Sequence, residues 1–104
     1  MYVINDLGDC SGYEALTPTT SKGFTAAKIN AQSAFSNQTV KAVMVKPEDY
    51  QIRFRMDGTA PTATVGMDLE AGGVLTITGH TNISKFRCID TSDGASTVHC
   101  MFFV

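Results

Sequence analysis

Two histidines, three cysteines and ten acidic residues are the groups in this 104-residue chain whose chemistry could be put to work. His80 and His99 would each need a cysteine, a carboxylate or a second histidine nearby to hold a metal or activate a nucleophile. Neither has one at diagnostic spacing. His99 adjoins Cys100, but neighbours in an extended strand point to opposite faces, which disfavours a Cys/His dyad. Both read as ordinary surface or boundary histidines. Cys10, Cys88 and Cys100 fit neither a paired disulfide framework nor a CxxC metal half-site, so free thiols are expected. Cys88 and Cys100 fall in two C-terminal strands and could face each other in a core, where cysteine behaves as a small hydrophobe.

Asp57, Asp68 and Glu70 lie close to the turn that begins at Asp57, and loop oxygens gathered in this way can hold Ca²⁺. The run matches no EF-hand or repeat-type calcium loop, and loop carboxylates commonly do no more than solvate turns. Arg53, Arg55, Lys85 and Arg87 would occupy the outer faces of two strands, where a basic stripe can bind phosphate or an acidic partner surface. A solvated face with cross-strand pairs to acids is the plainer expectation. Gly58, Gly66, Gly72 and Gly73 are turn glycines, because none follows a strand and opens a helix at P-loop or dinucleotide spacing. No nucleophile and acid/base pair can be assembled by spacing. The expectation is a protein with no catalytic or metal-binding residues, no cofactor and no enzymatic activity.

Eight basic and ten acidic residues are scattered along the chain for a net charge of −2, so no footprint for nucleic acid or an anionic membrane is visible. No apolar run approaches the roughly 20 residues that span a bilayer, and the start MYVINDLGDC lacks the basic and apolar regions of a signal peptide. Folding in a cytosol is expected. Nine glycines, no tryptophan and many Thr and Ser suit short strands joined by turns.

In Tyr50–Met56 the alternation places Ile52, Phe54 and Met56 on one face and Arg53 and Arg55 on the other. Asp57-Gly58 and Pro61 must end that strand. Further strands are expected at Val40–Lys46, Met67–Leu69, Val74–Thr78, Ser84–Asp90 and Thr97–Val104. Gly23–Ile29 also reads as a strand, although a helical turn from Ala26 fits too. Thr91–Ala95 has the Asp-Gly pair of a hairpin connection. These strands define an all-β fold: a β-sandwich, Ig/fibronectin-like or jelly-roll-like, of about seven short strands over residues 22–104.

Residues 1–21 read as an extended N-terminal arm with at most one short strand, near Tyr2–Ile4. Its apolar residues Tyr2, Val3, Ile4, Leu7, Tyr13 and Leu16 exceed what a disordered tail carries, which suggests docking on another surface, such as a neighbouring subunit. The last strand is apolar on both faces, with Val98, Cys100, Phe102 and Val104 on one and His99, Met101 and Phe103 on the other. Either it is a central strand covered on both sides, or its second face meets a partner.

The order GFTAAKI (23–29), KAVMVKPEDYQIRFRMDGTAPTATVGMDLEAGGVLTITG (41–79) and ISKFRCIDTSDGASTVHCMFF (83–103) resembles small structural proteins of tailed-phage virions. Those proteins share an I-R-F-R-x-D-G-T-x-P-T strand and turn, a following VG, an A-G-x-x-L turn, a K-F-R-x-I strand and a final hairpin. Met67 departs from the pattern, which tends to have His there, as does the Gly- and Cys-containing N-terminal arm. The resemblance implies a capsid cement (decoration) protein on the virion surface, made in the cytoplasm of a bacterial host. It would bind the major capsid protein, as a homo-oligomer (dimer or trimer). The resemblance carries over no binding residue; the apolar arm, with Met101 and Phe103 of the last strand, is where the residue pattern itself places the contact. A neck, tail or fibre-associated subunit is the alternative. A carbohydrate-binding or adhesion module is a further one, though the chain has three tyrosines, no tryptophan and no evident aromatic platform.

Overall fold

A computed structural model describes residues 8–31 and 33–104. Seven strands form two antiparallel sheets. They are β1 (Cys10–Leu16), β2 (Ala42–Pro47), β3 (Ile52–Arg55), β4 (Met67–Leu69), β5 (Leu75–Thr78), β6 (Arg87–Asp90) and β7 (Val98–Phe103). Two short helices, α1 (Ala26–Ile29) and α2 (His80–Lys85), and a 3₁₀ turn at Ser33–Phe35 complete the elements. The first sheet runs β1-β7-β2-β5 and the second β4-β3-β6. The fold is therefore an all-β sandwich of seven short strands, as expected.

The period-2 pattern of β3 gives Ile52 and Phe54 to the core and leaves Arg53 and Arg55 half-buried on the outside. Val43 and Val45 of β2, Ile77 of β5, Cys88 of β6, and Val98, Cys100 and Phe102 of β7 fill the same space. Phe24 stacks on Phe86 with centroids 4.7 Å apart and meets Phe102 edge-on at 5.5 Å. Burying one such ring is worth roughly 1.5–3 kcal/mol, and the offset and edge-on contacts add to it. β7 is the second strand of the first sheet, between β1 and β2, and its inner face of Val98, Cys100 and Phe102 packs into the core.

Four expectations are corrected. Cys10–Leu16 is a strand of the first sheet paired with β7, and Leu16 is in the core. The chain then crosses to the second sheet, where Asp90 N–H donates to the Pro18 carbonyl at 2.8 Å and Lys22 and Cys88 exchange backbone bonds of 2.9 and 2.8 Å. Residues 10–22 thus tie both sheets together. Their alternation is hard to read because only Leu16 is fully buried in β1, whose inner face otherwise carries Gly12 and Glu14. The possible strand at Tyr2–Ile4 lies outside the described residues.

The second correction is Gly23–Ile29, which turns into α1 at Ala26 so that Ile29 reaches the core and its carbonyl accepts Val40 N–H at 3.1 Å. Third, α2 occupies the start of the expected Ser84–Asp90 strand. Only Ile83 of its six residues is buried, too little for a helical period to show. Fourth, Thr91–Ala95 does turn, with a Thr91–Gly94 bridge, but it carries the chain from one sheet to the other instead of closing a β6/β7 hairpin. Gly94 has φ +151°, and a Cβ there would lie 2.9 Å from the Tyr50 ring.

Candidate functional site

The outer face of the first sheet is built by register. Tyr13 is opposite Met101, which is opposite Met44, so the three side chains form a row across β1, β7 and β2. Cys10 and Ala42 flank Phe103 in the next row, and Ala15 and Lys46 flank His99 on the other side. Met101 is 42% exposed and Tyr13 47%, high values for large apolar side chains on one contiguous face. Between Met44, Val74, Met101 and Phe103 on one hand and Gly8 and Cys10 on the other lies an open groove of about 660 Å³.

One end of the row is fixed by hydrogen bonds. The Tyr13 hydroxyl lies 2.5 Å from His99 Nδ1, and His99 Nε2 lies 3.1 Å from Glu48 Oε1. A neutral imidazole with its proton on Nε2 satisfies both contacts: the tyrosine hydroxyl donates to Nδ1, and Nε2–H donates to the carboxylate. The two rings stack at 5.9 Å. β1, β7 and the segment that leaves β2 are thereby linked on the outside of the sheet. On the inside, the Glu14 carboxylate accepts Thr25 N–H at 2.8 Å and the Thr25 hydroxyl at 2.7 Å, while Lys28 Nζ donates to the Tyr13 carbonyl at 3.1 Å. An inward charge and a lysine over the backbone are devices that blunt an edge strand, so the face, not the edge, is the open surface of β1.

Of the residues expected at a partner interface, Tyr13 and Met101 are exposed together on this face. Phe103 lines the groove but is only 6% exposed, and Leu16 points into the core at 7% and can offer nothing to a partner. Tyr2, Val3, Ile4 and Leu7 lie outside the described residues. Met44, Val74 and Cys10 were not anticipated. The Ala42/Met44 alternation of β2 carried the signal for Met44, since both of its faces are apolar.

The second sheet presents the arginines. Arg53 forms an ion pair with Asp68 across β3 and β4 at 2.6 Å and donates to the carbonyls of Ala63 and Gly66 at 3.2 and 3.0 Å, which organises the 57–66 loop. Arg55 grips Asp57 with two bonds of 3.0 and 2.5 Å. This hydrogen-bonding guanidinium, helped by Thr59 N–H, draws the Asp57 carboxyl from its ordinary 3.8 to about 2. Asp57 and Asp68 are thus engaged by separate arginines, and no group of three or more His, Cys, Asp or Glu side chains gathers among the described residues. Burial pushes the Cys88 thiol up to about 12 and moves Cys100 upward as well, which makes them poor nucleophiles. All three thiols are free, with Cys10 exposed.

No protein-family model, curated protein or solved structure matches the chain.

Proposed function

We propose that the protein is a non-enzymatic structural component of a tailed-phage virion, a decoration protein that binds the major capsid protein through the outer face of its β1-β7-β2 sheet. The observation that carries the docking surface is the row Tyr13, Met101 and Met44 beside an apolar groove, with Tyr13 and Met101 exposed on it. Apolar patches of this kind commonly mark contacts with other macromolecules, and methionines adapt to the shape of what they meet. The type of partner rests on the resemblance over residues 23–103, with its IRFRMDGTAPT strand and turn. In this reading the rigid sandwich supplies shape, the sheet face supplies affinity, and copies are arranged by the symmetry of the shell, as dimers, trimers or single domains.

The test is co-sedimentation of the protein with shells of the source phage. Met101→Asp, at an exposed position, is expected to abolish binding while leaving the melting temperature within about 2 °C of the parent, as for most surface substitutions. Retained shell binding by a folded Met101→Asp protein would refute the docking face. Binding to tail or neck fractions alone would move the protein to those parts of the virion.

A further inference from the structure

The basic stripe divides into two halves. Arg53 and Arg55 each pair with an aspartate. Arg87, directly opposite Arg55 in the β3/β6 register, does not. Its Nε donates to the Ser21 hydroxyl at 2.8 Å and its Nη2 to the Ser21 carbonyl at 2.6 Å, two neutral acceptors that fix the guanidinium plane without cancelling its charge. Lys85, two residues earlier at the end of α2, is exposed, and among the described residues neither cation has an acidic partner.

Both cations line one concavity of about 350 Å³, together with Ser84, Gly23 and Gly58. A Cβ added to Gly23 would lie 3.9 Å from Arg87 Nη1, so the guanidinium nitrogen not used by Ser21 sits over this glycine. Like charges opposed across a sheet are unfavourable unless something lies between or beside them to offset them. At Arg55 that role is filled by Asp57, and at Arg87 and Lys85 it is open. A held guanidinium with a spare N–H edge, an ammonium and a hydroxyl around one hollow are the donors that an oxyanion requires.

We infer that the Ser84–Lys85–Arg87 hollow is an oxyanion-binding site, recognising a single carboxylate or phosphate group. It lies on the second sheet, and the inference is independent of the shell-binding role proposed for the first. Because the cations are exposed, binding weakens with salt.

The experiment is a titration of the ¹⁵N-labelled protein with inorganic phosphate and, separately, with a short acidic peptide, each at constant ionic strength against chloride. Saturable shifts centred on Gly23, Gly58 and residues 84–87 are expected with at least one probe, and whichever probe binds identifies the source of the oxyanion. Arg87→Gln and Lys85→Gln should each weaken binding about tenfold, the scale of one charge-assisted hydrogen bond. Lys85→Gln, at an exposed helix end, keeps the test valid should Arg87→Gln lose stability with its Ser21 bonds. Absence of saturation with both probes, shifts spread over all lysines, or affinity unchanged in both variants would overturn the inference.

Discussion

At the scale of single residues, chemistry is largely occupied by structure. The Asp57 carboxyl is depressed to about 2 by the Arg55 bonds, so the pair contributes to stability above the ordinary carboxylate value and loses that contribution as pH falls through the folded value. An NMR titration should place the Asp57 midpoint near 2, and Arg55→Gln should return it toward 3.8. An unmoved midpoint would show that the Arg55 contact is absent in solution. The thiols divide by burial. Native protein treated with iodoacetamide is expected to label at Cys10 only, and all three cysteines should label after denaturation. Rapid native labelling of Cys88 or Cys100 would contradict the packed core. Asp57 is readable as a turn carboxylate from sequence, whereas Asp68 proves to be a strand residue. Their assignment to particular arginines is not readable, because Arg53 reaches Asp68 only once β4 is placed beside β3.

At the scale of elements, strands with clear alternation were legible. β2, β3 and β7 carry two or more core residues at period 2, β5 sets Ile77 in the core with Leu75 packed against it, and β3 follows its IRFR pattern to the residue. β1 is not legible, since an inner face of Gly12 and Glu14 gives no hydrophobic signal, and α2 has no second buried residue to show a helical period. A consequence follows for truncation. Removing residues 1–21 would strip β1 from β7 and the Pro18 contact from β6, so the truncated chain should melt well below the parent and cannot report on docking alone. In β7, Phe102→Ala is expected to cost about 3–5 kcal/mol by emptying the space against Phe24. Gly94→Ala should cost more than about 1 kcal/mol, because the backbone is in the glycine region and the Tyr50 ring blocks the added methyl. Chemical denaturation of the two variants measures both values, and a parent-like midpoint for either would contradict the packing described.

At the scale of the molecule, the sandwich exposes two unlike surfaces on opposite sheets. One is an apolar face with a groove, where Tyr13 and Met101 are exposed, Met44 joins them through strand order and Val74 lines the groove. The other is a charged face on which two arginines are neutralised and one is not. The apolar face is the surface through which the role proposed above, adhesion within a larger particle, would act. Quantitative mass spectrometry of purified source-phage particles tests that role most directly, by the copy ratio of this chain to the major capsid protein. A ratio of one, or a simple fraction of one, is predicted; absence of the chain from the particles would contradict the account.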